Sequence, residues 1–116
     1  MSDNACIFCR IVEGKMPATI VYEDDEIVAF EDVNPQAPTH LLLIPRKHVP
    51  SLNSVGGDDG AWAARLLLSA PEVAREAGVN EDGYRVVINT GSEGGQAVDH
   101  VHMHLLGGRR MTWPPG

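Results

Sequence analysis

The clearest structural signal in the sequence is the segment His100-Val101-His102-Met103-His104-Leu105-Leu106. Imidazole and apolar side chains alternate along it, and side chains on a β-strand point to opposite faces in turn. We therefore expect a strand over residues 100–106, with three imidazoles on one face and apolar side chains packed on the other. Three histidines in alternation are much harder to explain as a solvated strand face than one histidine would be, so the stretch predicts a functional site.

A glycine-rich connection, residues 90–96, leads directly into the histidines. Gly91, Gly94 and Gly95 let the backbone approach a ligand closely, and successive amides in such a turn can bind an anion, so the loop predicts a phosphate site. A histidine can attack phosphorus directly when its neighbours fix its tautomer and offset the charge on the phosphoryl oxygens. The same spacing also suits a catalytic metal centre in which the imidazoles share one ion, and both interpretations stay open.

Four further strands are predicted from runs of β-branched, aromatic and other apolar residues. They lie at residues 19–23, 26–31, 40–44 and 84–89, with a turn at Asp24-Asp25 between the first two. Because the connections between the strands are mostly short, the sheet should be antiparallel. The fold class is therefore α+β, with a five-stranded antiparallel sheet.

Helical periodicity predicts two helices. Residues 5–13 should form a short N-terminal helix that Gly14 ends, and the main helix should begin behind Asp58-Asp59 as candidate caps and end at Gly78. Pro71 lies inside the main helix, so we expect a kink, or two shorter helices, around Ser69 and Ala70. This helix should cover one face of the sheet.

Length and composition predict one globular domain, residues 1–116, with 43% hydrophobic and 22% charged residues. A net charge of −7 disfavours nucleic acid and anionic membranes as partners but leaves room for a small anionic ligand. Met1-Ser2-Asp3-Asn4 carries no basic or apolar leader, and no apolar run approaches the length of about 20 residues that spans a bilayer, so we expect a cytoplasmic location. In a reducing compartment the Cys6-x-x-Cys9 pair suggests zinc or redox chemistry before a disulfide.

Taken together, these residues resemble the histidine triad (HIT) family, and within it the Hint branch of nucleotide-binding phosphoramidases. The likeness runs through nearly the whole chain. Besides the triad, the matching segments are Cys6-Ile7-Phe8-Cys9, Tyr22-Glu23-Asp24-Asp25, Pro38-Thr39-His40, Ile44-Pro45-Arg46-Lys47-His48, Gly94-Gly95-Gln96 and Trp113-Pro114-Pro115-Gly116.

The resemblance implies a homodimer in which two protomers share one extended sheet and keep separate sites. It also implies His102 as the nucleophile, His100 as the residue that orients it, and His104 as a contact of the alpha phosphate. The remaining phosphate contacts would come from Asn89, Gly95, Gln96 and Ala97. Asp32 would bind the ribose, and Phe8, Phe30, Val33 and His40 would line the nucleoside pocket. Trp113 would reach toward the partner's site.

Two residues depart from the family pattern. Ala97 stands where the family usually has serine or threonine, so it keeps a backbone donor and lacks the hydroxyl that would contact the phosphate. Asp99 lies beside the triad, and alternation would point its carboxylate away from His100. Loss of a hydrogen bond to a charged group costs about 1.5–3 kcal/mol, so turnover should be slower while binding survives.

The zinc-containing bacterial members of the family suggest a structural metal site made of Cys6, Cys9, His48 and His100, whose ligand types suit zinc. The chemistry itself would need no cofactor.

Three functions follow from the sequence. The first is a hydrolase, a nucleoside phosphoramidase or nucleotidyl hydrolase, that acts on a purine nucleotide at the alpha phosphorus through a nucleotidyl-histidine. The second is a nucleotide-binding module with vestigial catalysis, motivated by Ala97. The third is a catalytic metal centre. Related branches that cleave dinucleoside polyphosphates or transfer nucleotidyl groups also stay open.

Overall fold

The computed structural model describes residues 5–116. Its strands are β1 (Ile20–Glu23), β2 (Ile27–Glu31), β3 (Thr39–Pro45), β4 (Tyr84–Ile88) and β5 (Met103–Gly107), and its helices are α1 (Ile7–Val12) and α2 (Gly60–Ala77). Short 3-10 turns at Leu52–Ser54 and Gly57–Asp59 lead into α2. None of the helices among the described residues is long and apolar enough to cross a membrane.

The five strands form one sheet in the order β1-β2-β3-β5-β4, and every neighbouring pair is antiparallel. The predicted α+β class, with one main helix and a short N-terminal helix, is confirmed. The first hairpin closes at Asp24, whose Oδ1 accepts hydrogen bonds from the amides of Glu26 at 2.8 Å and Ile27 at 2.9 Å. Strands β1 to β4 match the predicted bounds to within one residue at each end.

The sheet separates two apolar clusters. Alternate residues of β3 go to opposite sides: Leu41 and Leu43 pack with α2, whereas Leu42 and Ile44 pack with α1. Val101, Met103 and Leu105 join the α2 cluster, as their alternation with the histidines predicts. The imidazoles therefore belong to the α1 side of the sheet, where Phe8 of α1 contacts His100 and His102.

The predicted strand over residues 100–106 is wrong at its start, because β5 begins only at Met103. Met103 pairs with Leu43, so a longer ladder would place Val101 opposite Pro45, which has no N–H to donate. The Val101 amide bonds instead to the carbonyl of Val49 at 2.8 Å. His100 and His102 thus lie in an extended approach to the strand.

At Pro71 we expected a kink or two shorter helices, and the second alternative is wrong, because α2 is continuous from Gly60 to Ala77. Proline removes the hydrogen bond to the carbonyl of Leu67, a residue that is 65% exposed, so water can satisfy that carbonyl. Gly78 ends the helix at φ 77°, as predicted. Asp59 occupies the N-cap position but makes no cap hydrogen bond, because its carboxylate accepts from Lys47, Trp62 and the Gly56 amide.

Candidate active site and metal-ligand cluster

His102 is held by the backbone two residues before it. Its Nδ1 donates to the carbonyl oxygen of His100 at 2.8 Å, which leaves the lone pair on Nε2. Nε2 has no hydrogen-bond partner among residues 5–116. The buried ring is packed between Phe8 and His104, at centroid distances of 5.2 and 5.1 Å.

The His100 imidazole faces away from this arrangement and into a second cluster. Its Nε2 donates to the carbonyl oxygen of Pro45 at 2.9 Å, so its Nδ1 carries a lone pair. That nitrogen lies 3.4 Å from Cys6 Sγ, 3.7 Å from Cys9 Sγ and 3.3 Å from His48 Nδ1. Burial lowers the pKa of His100, which keeps the imidazole neutral.

These spacings fit one tetrahedral metal ion. Zinc bonds of about 2.05 Å to nitrogen and about 2.3 Å to sulfur place two nitrogens about 3.3 Å apart, and a nitrogen and a sulfur about 3.5 Å apart. The two imidazole nitrogens lie 3.3 Å apart, and Cys9 Sγ lies 3.2 Å from His48 Nδ1. The ligand atoms of Cys6, Cys9, His48 and His100 all lie within 4.8 Å of one another. The cluster could therefore hold a metal ion, with two thiolates and two neutral imidazoles as donors.

His104 belongs to a third group of side chains, with His40 and Asp32. His104 Nδ1 lies 2.9 Å from His40 Nε2, which in turn lies 3.3 Å from Asp32 Oδ2. Burial lowers the pKa of His104 to about 4, and the neighbouring His102 and His40 add to the shift. His100 and His104 face different clusters, and His102 belongs to neither. The three imidazoles therefore do not converge on one ion, and this argues against a catalytic metal that they share.

The loop before the triad has a tightly packed backbone. A Cβ at Gly94 would lie 2.3 Å from the Thr90 carbonyl oxygen, and Gly95 has φ +80°, so both positions require glycine. The Gln96 side chain fastens the loop, with Oε1 accepting from the Gly91 amide at 3.0 Å and Nε2 donating to Pro50 at 2.7 Å. The Gln96 side chain therefore bonds within the protein, and its predicted contact with a nucleotide stays a prediction.

The loop amides differ in what they offer a ligand. The Gly95 amide already donates to Ser92, at 3.1 Å. The Ala97 amide has no partner among residues 5–116. Ala97 lines a cavity of about 390 Å³ together with Cys6, His48 and the exposed Asp99. Of the two amides singled out from the sequence, Ala97 is therefore the one free to donate to a phosphate.

The other predicted site residues differ in how deeply they are buried and in which cavity they line. Phe8 and Phe30 are buried edge to face at 5.6 Å, and Asn89 follows directly after β4 and is half-buried. Val33 is 98% exposed, and Trp113, under the Arg85 guanidinium, is 81% exposed. Asp32 and His40 also line a cavity of about 560 Å³ with residues of α2, and no triad histidine reaches that cavity.

Two groups that control the site have no signal in the sequence. The carbonyl of Pro45 sets the tautomer of His100, and the amide of Gln36 donates to His40 Nδ1 at 3.0 Å. Both are backbone groups: every residue type has the carbonyl and every residue type except proline has the amide, so no residue pattern could have revealed them.

With this geometry in place, comparison with known proteins identifies the class. The model of the HIT domain family matches residues 13–111. A HIT-like protein of Synechocystis sp. is 54% identical over 110 residues, covering 95% of this chain and 96% of that protein. The chain belongs to the HIT family, which confirms the resemblance at the level of the family.

Solved structures agree with this assignment. A HIT family hydrolase from Legionella pneumophila superposes with a TM-score of 0.93 at 55% identity, covering 96% of this chain and 99% of that one. A histidine triad protein from Clostridium difficile gives a TM-score of 0.91 at 41% identity, covering 97% of each chain.

Proposed function

We propose that this protein is a purine nucleotide-binding hydrolase of the Hint type, a phosphoramidase or nucleotidyl hydrolase that acts at the alpha phosphorus. The observation that carries the proposal is the hydrogen bond from His102 Nδ1 to the His100 carbonyl. It fixes the tautomer in which Nε2 is the nucleophilic nitrogen. It also keeps the ring out of both clusters of candidate metal ligands.

The reaction has two steps. First, the Nε2 lone pair of His102 forms a bond to phosphorus while the bond from phosphorus to the leaving amine breaks, and the amine takes up a proton. The imidazole becomes positively charged, and the His100 carbonyl stabilises that charge through Nδ1–H. Water then attacks the nucleotidyl-histidine, the N–P bond returns its electron pair to His102, and a nucleoside monophosphate and a proton are released.

The phosphate would be held by neutral donors. Besides the free Ala97 amide, His104 and Asn89 would contact it, and Asp32 would bind the ribose. Such fixed dipoles can stabilise a transferring phosphoryl group even on a chain of net charge −7. The buried Phe8 and Phe30 and the exposed Val33 would border the nucleoside.

Trapping tests the proposal directly. Protein mixed with an adenosine phosphoramidate and quenched without acid should carry a nucleotidyl mass on the peptide that contains His102. The His102→Asn variant should lose the adduct and turnover while it still binds adenosine monophosphate in calorimetry and keeps its circular dichroism spectrum. Full activity in that variant would disprove the proposed nucleophile.

A nucleotide-binding module is the second candidate, and Ala97 favours it because no hydroxyl is present at this position. Calorimetric binding of adenosine or guanosine monophosphate, together with no phosphoramidate cleavage above background, would establish binding as the function. Cleavage that depends on His102 would exclude this candidate.

We further propose that the four-residue cluster binds structural zinc. Cys6 and Cys9 are both buried and are not joined in a disulfide, which suits a protein of the reducing cytoplasm. A zinc ion bound there would cross-link α1, the residues after β3 and the triad segment. Metal analysis of protein purified without chelators should give about one zinc per chain, and none would contradict the assignment.

We also propose a homodimer. Strand β4 is an open edge of the sheet, and a nearby apolar cavity of about 180 Å³ is lined by Trp62, Leu66 and Ile88. Leu67 and Leu68 of α2 are exposed by 65% and 62%. A second copy placed on this face would bury these side chains. Sedimentation should give twice the chain mass, and Leu67→Glu should give monomer; a wild-type monomer would refute the dimer.

A further inference from the structure

The His40 ring has both nitrogens occupied by protein groups, so its tautomer is determined. Nδ1 lies 3.0 Å from the amide nitrogen of Gln36, and a backbone amide can only donate. Nδ1 is therefore the acceptor, and the single proton of the neutral ring is on Nε2. His40 is 6% exposed, so this arrangement is shielded from water.

The tautomer of His104 follows from that of His40. His104 Nδ1 lies 2.9 Å from His40 Nε2, which is a hydrogen-bond distance and requires one proton between the two nitrogens. Since that proton belongs to His40, His104 Nδ1 accepts it. The proton of neutral His104 is then on Nε2, the nitrogen that has no partner among residues 5–116.

We propose that His40 is a positioning residue that holds His104 in the Nε2–H tautomer, so that His104 donates a hydrogen bond to the phosphoryl group of the substrate. The role of the donated bond rests on the proposed function. Without His40, His104 could keep its proton on Nδ1 and present a lone pair to the phosphate, which would repel it.

Two other uses of this cluster fit the geometry less well. The predicted lining of the nucleoside pocket by His40 could involve only its ring carbon atoms, because protein groups occupy both of its nitrogens. Asp32, His40 and His104 also lie close enough to share a metal ion. An ion on His40 Nε2, with the Gln36 amide on Nδ1, would require His40 to lose its last proton, so a proton between the two histidines is the simpler arrangement.

Asp32 reinforces the same tautomer. Its Oδ1 accepts from the Asn34 amide at 2.8 Å, and its Oδ2 lies 3.3 Å from His40 Nε2. A carboxylate beside Nε2 favours a proton on that nitrogen. The longer distance makes Asp32 the secondary acceptor and His104 the primary one.

Nitrogen NMR tests the tautomer without any substrate. In zinc-loaded protein with 15N-labelled histidine, His104 should show a protonated Nε2 and an unprotonated Nδ1 at pH 7. His40→Leu removes the donor, and the two nitrogens of His104 should then shift toward an averaged, mixed tautomer. His40→Gln places an amide N–H within reach of His104 Nδ1 and should restore the wild-type pattern.

Kinetics tests the consequence. His40→Leu should lower kcat about 10- to 100-fold with a smaller change in KM, and His40→Gln should recover most of the loss. An unchanged His104 spectrum in His40→Leu would overturn the inference, whatever the activity. A fixed tautomer in a protein without His102-dependent cleavage would instead uphold His40 as the positioning residue and refute the proposed function.

Discussion

Two imidazole clusters flank His102, and in each a different backbone group bonds to one of the histidines. His100 meets the carbonyl of Pro45, whereas His40 meets the amide of Gln36. The carbonyl accepts a hydrogen bond from the ring N–H, which leaves a lone pair on the other ring nitrogen, so the His100 cluster is suited to a metal. The amide donates a hydrogen bond to the ring's lone pair, which leaves the N–H on the other ring nitrogen, so the His40 cluster is suited to donating hydrogen bonds. The same residue type therefore becomes a ligand or a donor according to the main chain beside it.

The largest expected effect comes from removing one ligand of the four-residue cluster around His100. Cys9→Ser should abolish zinc binding and reduce the free energy of unfolding, by about 4 kcal/mol when free zinc is 1,000-fold above its Kd. The measurement is chemical denaturation with and without added zinc. Asp99→Asn is the matched control, because Asp99 lines a cavity together with the cluster residues Cys6 and His48 and contributes no ligand. Equal zinc dependence in both variants would rule out the assigned ligands.

Low pH should destabilise the folded protein through His104, a member of the other cluster. The pKa of His104 falls from 6.5 to about 4 on folding, mainly through burial. Below pH 6.5 the unfolded chain takes up a proton that the folded chain refuses, so stability is fully present above pH 6.5 and is lost as pH falls toward 4. The loss should be on the order of 3 kcal/mol.

Denaturation of zinc-loaded protein at several pH values measures this dependence. His104→Gln cannot titrate, so its stability should vary less between pH 6.5 and 4 than that of the wild type. Curves that run parallel in the two proteins would show that His104 titrates alike in the folded and unfolded chains.

The smallest expected effect is on kcat and comes from a substitution at Ala97, whose amide is free to donate to the phosphate. Ala97→Ser adds a hydroxyl beside the free amide and replaces no member of either cluster, so kcat should rise, by about tenfold if the gain is near 1.5 kcal/mol. Ala97→Val, which adds bulk without a donor, is the control and should not raise kcat. A serine variant no faster than wild type would show that the hydroxyl does not limit turnover.

Much of the fold could be predicted because it depends on local patterns. Alternation assigned Val101, Met103 and Leu105 to the core, and Gly78 was recognised as the end of α2. The failures occurred where a distant residue mattered. Pro45 on another strand delays the start of β5, and the exposed position of Leu67 lets α2 continue through Pro71.

Residue type and period-two spacing are local properties, so they were enough to predict the family, the sheet and the side chains that could carry chemistry. What each imidazole can do depends on contacts that form only when the chain folds. Folding brings Cys6, Cys9 and His48 to one nitrogen of His100, and the Gln36 amide to His40. The physical reason is that a histidine's role depends on which nitrogen carries the proton, and backbone groups brought close by folding decide that.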